Sequence, residues 1–282
     1  MGKTVKVDAH HHFWKISRGD YHWLESEPES IRCDFLPQHL KPLLERAGID
    51  RTILVQAAET EAETQYILEL AAANEFIVGV VGWLDMEAPG RIEVLESWAK
   101  HPKFLGIRPI IQGIPDPDWM LKPELDPVFQ WLIDNDFSFD ALVLPVHLSN
   151  LLTLVDRYPT LRVVIDHGAK PYIADAVMQP WMDDMAALAS RPQVFCKLSG
   201  LVTEAGSRVN FDALQPYMQH LLSCFGAERL MWGSDWPVCT IAASYHAWVE
   251  MSHRFVESLS EDQRRDILGH TALRFYAPKA LA

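Results

Sequence analysis

The chain has 282 residues, 49% of them apolar, and a formal net charge of −13. That apolar fraction supports a sizeable core and excludes a disordered chain, while the acidic balance speaks against nucleic acid and membrane surfaces as partners. Four widely spaced cysteines (Cys33, Cys196, Cys224 and Cys239) make no CxxC pair, which argues against a zinc ribbon or a redox motif; with no signal peptide ahead of Val5 and no membrane-length apolar run, the expected location is the cytoplasm.

The first predicted element is a strand over 5–12 that runs into His10-His11-His12. On a strand His10 and His12 project to one face and His11 to the other. Two imidazoles at a strand end can hold a metal, polarise a carbonyl or shuttle a proton. Residues 17–37 are polar and aromatic without periodicity and read as a long loop. Seven further β-branched runs follow, at 51–57, 77–85, 104–111, 137–144, 162–168, 194–200 and 229–236. Segments with helical character lie between them, at 40–47, 60–74, 90–100, 125–135, 148–158, 181–189 and 212–225. A last helix is predicted over 261–268 with Ser260 as its N-cap. Residues 113–127 are Pro-rich and read as a second long loop.

Eight strands alternating with helices predict an α/β fold, a (β/α)8 TIM barrel occupying 1–282 as a single domain. A doubly wound sheet is the alternative, but no Gly-rich phosphate loop follows the first strand. In a barrel the C-terminal strand ends share one mouth. His10 and His12, Asp85, Arg108, His147, Asp166 and His167, Lys197 and Ser199, and Asp235 fall at or near such ends. By alternation Asp166 faces away from His167 and reads as structural; Asp85 reads as a loop or cap residue. His147 is either a substrate contact or a helix-entry residue, and Lys197 either a substrate cation or a carboxylate partner. Among ten tryptophans, Trp14, Trp23, Trp83 and Trp236 lie near predicted strand ends, where rings could wall a pocket, with core packing the plainer alternative.

The stretches Val-Asp-Ala-His-His-His-Phe-Trp at 7–14, Gly-Ile-Arg-Pro at 106–109, Val-Ile-Asp-His-Gly-Ala-Lys-Pro at 164–171, Cys-Lys-Leu-Ser-Gly-Leu at 196–201 and Leu-Met-Trp-Gly-Ser-Asp-Trp-Pro at 230–237 resemble the amidohydrolase superfamily. The branch they resemble is that of the lactonases, similar to 2-pyrone-4,6-dicarboxylate lactonase and the L-fucono- and L-rhamnono-lactonases. The resemblance implies catalytic roles for His10, His12, His167 and Asp235. Arg108 stands near the place where metal-rich members carry a metal-bridging lysine or a glutamate. A guanidinium cannot ligate a cation, and its charge opposes one nearby.

These residues lead to an expected hydrolase that opens a sugar (aldono)lactone, with L-fucono-lactone or a close relative as the leading substrate. Asp235 would take a proton from the attacking water while His10, His12 and His167 polarise the carbonyl. Arg108, Lys197, Trp14, Trp23, Trp236 and His147 are the expected substrate contacts. No cofactor is expected to be required; the alternative is one Zn²⁺ on His10, His12 and Asp235. Other readings are a dicarboxylate lactone hydrolase, a zinc-dependent decarboxylase and a non-catalytic sugar-binding barrel. The expected partner is a small-molecule lactone, with neither nucleic acid nor membrane; the sequence carries no signal for oligomeric state.

Overall fold

The computed structural model describes residues 4–277. Eight parallel strands pair in chain order: β1 (Val7–His11), β2 (Arg51–Val55), β3 (Ile77–Gly82), β4 (Phe104–Ile107), β5 (Ser138–Ala141), β6 (Arg162–Ile165), β7 (Val194–Leu198) and β8 (Leu230–Trp232). Helices fill the connections: α1 (Pro37–Ala47), α2 (Glu61–Ala73), α3 (Arg91–Trp98), α4 (Asp126–Asp134), α5 (Leu148–Arg157), α6 (Trp181–Ala189) and α7 (Phe211–Phe225). After β8 come α8 (Tyr245–Val256), α9 (Glu261–Arg265), a π turn over Asp266–His270 and α10 (Thr271–Tyr276). This is the (β/α)8 barrel that the alternation predicts. No helix among the described residues is long and apolar enough to cross a membrane.

Two apolar layers hold it together. The larger lies between strands and helices, where Leu54, Val80, Ile107, Phe139 and Leu198 meet Leu40, Ile67, Phe129, Leu151 and Trp248. The smaller joins Ile53, Val55, Val81, Leu105, Val164 and Met231 to Phe275 and Tyr276 of α10. Strands β4 and β5 approach so closely that a Cβ on Gly106 would lie 2.3 Å from the Ser138 carbonyl oxygen.

The seam between β8 and β1 lies beyond the end of β8. The Asp235 N–H donates to the His10 carbonyl (2.8 Å) and the His12 N–H to the Trp236 carbonyl (2.7 Å). The Asp8 carboxylate crosses the same seam, accepting the Ser234 N–H at 2.8 Å and the His10 N–H at 3.3 Å.

Several strands end earlier than the sequence predicts. β6 stops at Ile165 rather than at 168, because His167 (φ 54°) and Gly168 (φ 56°) turn left-handed. β8 stops at Trp232, and Asp235 (φ 56°) is left-handed too. A left-handed residue cannot continue a ladder, so simple alternation fails at the strand ends that carry the reactive groups. Helix α8 is absent from the sequence prediction; Ser244 caps it by accepting the Ala247 N–H at 3.1 Å. The predicted Ser260 cap is present, with the Gln263 N–H donating to its hydroxyl at 3.2 Å.

A methyl at Gly106 meets the Ser138 hydroxyl at 2.2 Å and, behind it, the Ser138 backbone carbonyl, which cannot swing aside. Gly106→Ala is expected to lower stability by at least the ~1–3 kcal/mol of ordinary overpacking, measured as a drop in the urea midpoint. An unchanged midpoint would mean that β4 and β5 are further apart than described.

Candidate active site

The seam at β1 and β8 and the turn after β6 bring His10, His12, His167 and Asp235 together. His12 Nε2 lies 3.1 Å from His10 Nε2 and 3.3 Å from Asp235 Oδ1. Asp235 Oδ1 is 3.8 Å from both His10 Nε2 and His167 Nε2. The His10 and His167 rings are 4.4 Å apart between centroids, and His167 Nδ1 meets the Ser199 hydroxyl at 2.8 Å. Gly200, at φ 65°, makes room for that ring: a Cβ there would sit 2.6 Å from it.

Burial sets the charge states. It drives His10 well below the ordinary imidazole range, lowers His12, and brings His167 down to about 4, so all three are neutral at neutral pH. Burial pushes the Asp235 carboxyl upward, but His167, His12 and Lys170 outweigh it and hold the group below its usual value. An ionised carboxylate thus sits among neutral imidazoles.

The His12 tautomer is fixed. Its Nδ1 lies 2.9 Å from the Val55 carbonyl, which can only accept, so Nδ1 carries the hydrogen and Nε2 presents a lone pair. Neutral His12 therefore cannot donate to a substrate carbonyl, which corrects the polarising role that the sequence suggests for it. It can ligate a cation. His10, His12 and Asp235 offer three donor atoms that can share one ion, at separations close to the roughly 3.3 Å between two nitrogens of a tetrahedral zinc site. The donor set fits a single cation, so the expectation that no cofactor is needed loses its basis. Arg108 still speaks against a second cation: its Nη1 is 3.4 Å from His10 Nε2 and 3.5 Å from Asp166 Oδ2.

Above this floor opens a cavity of about 550 Å³. His12, Arg108, His167 and Asp235 line it below; Trp23, Ala57, Ile110, Leu142, Val238 and Ile241 form apolar wall, and Asp20, Glu27, Glu59, Thr60, Gln112 and Lys170 polar wall. Trp23 is anchored by its indole N–H to the Ala57 carbonyl at 2.7 Å. The 17–37 loop that carries it is pinned by buried Glu63, which accepts the Tyr21 hydroxyl (2.7 Å) and the Ala57 N–H (3.1 Å).

Four other expected substrate contacts are not among the cavity-lining residues. Trp14 is fully buried, with its indole N–H on the Cys33 carbonyl. Trp236 packs on Phe13 and Phe35. Lys197 is fully buried beneath the site, 2.7 Å from Asp140 Oδ2 and 3.0 Å from Asp166 Oδ1. His147 Nδ1 accepts the Leu144 N–H at 3.1 Å and caps the turn leading into α5. The same Leu-Pro-x-His arrangement caps α1, where His39 Nδ1 accepts the Leu36 N–H, also at 3.1 Å. Asp166 and His167 both contact the His10 surroundings, because the left-handed turn defeats alternation. Asp85 accepts the Glu87 N–H in a turn. Asp8, Asp140 and Tyr276, absent from the sequence candidates, lie at the seam or under the floor.

Fold and site together define a barrel hydrolase of the histidine–carboxylate kind. A sequence profile of the amidohydrolase family matches residues 7–277, and the chain belongs to that family. It is 42% identical over 277 residues to an L-fucono-1,5-lactonase of Burkholderia ambifaria, spanning 97% of this chain and 96% of the relative. It is 35% identical over 290 residues to an L-fucono-1,5-lactonase of Burkholderia multivorans, spanning 97% and 96%. A crystal structure of an amidohydrolase from Burkholderia multivorans with bound zinc, 35% identical, superposes with a TM-score of 0.92 over 97% of this chain and 99% of that one.

Two outcomes follow for residues around the site. His147→Ala should cost roughly 0.5–2 kcal/mol of stability, as for a lost helix cap, with kcat/KM unchanged; a large fall in kcat/KM without a stability change would return His147 to the substrate. Burial raises the Asp8 carboxyl to about 7 from 3.8. Between those values the folded state holds a proton that the unfolded chain has lost, so this contribution to stability is full at acid pH and is lost as pH rises to about 7. Asp8→Asn should flatten that component of the stability–pH curve, measured by denaturation at a series of pH values.

Proposed function

We propose that the protein hydrolyses a neutral sugar lactone, with L-fucono-1,5-lactone as the leading substrate. The observation that carries the reading is Asp235, ionised among three neutral imidazoles at the floor of a cavity of sugar size. Similarity to two L-fucono-1,5-lactonases over almost the whole chain supports the substrate class.

Water attacks the lactone carbonyl carbon while Asp235 takes its proton. Arg108, at the cavity floor, offers a guanidinium to the developing oxyanion. His167, whose Nδ1 meets the Ser199 hydroxyl at 2.8 Å, adds a second donor in the tautomer that takes the hydroxyl's hydrogen at Nδ1 and carries its own on Nε2, toward Asp235. The tetrahedral intermediate collapses by breaking the ring C–O bond, and the proton held by Asp235 passes to the departing alkoxide. The product is a hydroxy acid, the lactone plus one water. His10, His12 and Asp235 would hold a divalent cation, which when bound supplies Lewis-acid polarisation of the carbonyl.

The cavity wall favours a neutral substrate. Its carboxylates Asp20, Glu27, Glu59 and Asp235 outnumber its cations Arg108 and Lys170. A dicarboxylate lactone would meet repulsion at the rim, whereas a sugar ring can lay its C–H face on Trp23.

A pH-indicator assay over a panel of sugar and dicarboxylate lactones, with and without chelator, tests the proposal. Fastest turnover is expected with L-fucono-1,5-lactone, falling on chelation and returning with zinc. Turnover of dicarboxylate lactones alone would overturn the substrate class, and full activity after complete metal removal would overturn the cation. Asp235→Asn should lower kcat by roughly 10²–10⁴-fold, the usual scale for a lost general base; unchanged kcat would remove Asp235 from the chemistry.

A further inference from the structure

One wall of the cavity is built from two segments outside the strands and long helices. The 17–37 loop supplies Asp20 and Trp23, and the turn between β2 and α2 supplies Ala57 and Thr60. Their hydrogen bonds converge on Glu63. This residue is fully buried in the first turn of α2 and is not among the cavity-lining residues.

Two chains of contacts run from Glu63 to the cavity. In the first, Glu63 Oε1 accepts the Ala57 N–H at 3.1 Å, and the Ala57 carbonyl accepts the Trp23 indole N–H at 2.7 Å. In the second, the Glu63 N–H donates to the Thr60 hydroxyl at 3.0 Å, and that hydroxyl donates to Asp20 Oδ2 at 3.3 Å. Glu63 Oε2 accepts the Tyr21 hydroxyl, from the loop between Asp20 and Trp23, at 2.7 Å. Arg18 lies 2.7 Å from Asp20 Oδ2 and 3.7 Å from Glu63 Oε2.

A buried carboxylate is costly unless its oxygens are hydrogen-bonded. An apolar side chain would suit this burial better, but it could not accept from both segments at once. The two chains end on an aromatic face and a carboxylate, which suit the C–H face and the hydroxyls of a sugar ring. The reacting groups are held elsewhere. Asp235 is fixed by the barrel seam and His167 by Ser199, while Gln56, which accepts from Arg108, has its own N–H on the Val81 carbonyl.

We propose that Glu63 is a positioning residue for substrate binding, which sets Trp23 and Asp20 to receive the sugar ring without touching it. The inference rests on the reading of the cavity as a sugar-lactone site and identifies what holds its wall. Because the reacting groups have other supports, the effect of Glu63 falls on KM and not on kcat.

Glu63→Leu removes both acceptors. For the lactone turned over fastest, KM should rise roughly tenfold, the change that one or two net hydrogen bonds make in an equilibrium constant, with kcat within about threefold of wild type. Unchanged KM, or a loss confined to kcat, overturns the proposal. Glu63→Gln keeps an acceptor for Ala57 and a donor for the Tyr21 oxygen, and should restore most of the loss. In a Trp23→Ala/Asp20→Ala background, Glu63→Leu should change KM by less than about a factor of two; a larger change overturns the route through these residues. Should Glu63→Leu not fold, Tyr21→Phe keeps the ring and cuts only the loop-side bond, and an unchanged KM there overturns the proposal. Tryptic cleavage after exposed Arg32 needs no lactone. It should be faster in natively folded Glu63→Leu than in wild type, since loop cleavage follows local opening; equal rates overturn the anchoring. Faster cleavage with no lactone turned over would leave the anchor standing and remove the sugar reading.

Discussion

The seam where the barrel closes determines what this site can be. Strand β8 and β1 are joined past the end of β8, by the Asp235 and His12 amides and by the Asp8 carboxylate on Ser234. The contacts that shut the sheet are therefore those that hold Asp235 beside His10 and His12. Closure and catalytic geometry share one set of hydrogen bonds, and the left-handed backbone at Asp235 is held by the surrounding structure. A change that loosened the seam would act on fold and site together.

Burial then decides the chemistry. In water, imidazoles near a carboxylate would be partly charged at neutral pH. Here desolvation keeps them neutral, while Asp235 is held below its usual carboxylate value. A second set of charged side chains, Lys197, Asp140 and Asp166, lies one layer down, where no solvent reaches them. Buried ions of this kind are tolerated only as a paired set, which ties the lower layer to the upper one.

Much of this was legible in the sequence. The strand–helix alternation predicted the barrel, and residues at strand ends predicted the grouping of His10, His12, His167 and Asp235. What the sequence could not show has physical reasons. The hydrogen on one nitrogen of His12 rather than the other depends on the Val55 carbonyl, which comes close only in the folded chain. Trp14, Trp23 and Trp236 look alike in sequence, yet only Trp23 meets the cavity, because the 17–37 loop folds the others inward. For His147 the sequence does carry a signal: Leu-Pro-x-His occurs twice, and at both places the histidine closes a helix start. Helix α8 has its own sequence pattern, since Tyr245, Trp248, Val249 and Phe255 are buried at helical spacing.

Tyr276 reaches Asp140 from α10, an element that follows all eight strands in the chain. The floor of the site therefore depends on a side chain supplied from outside the eight strand–helix units: through Asp140 and Lys197, the Tyr276 hydroxyl is linked to the underside of His10. A substitution in α10, remote from the cavity, would be felt at the histidine cluster.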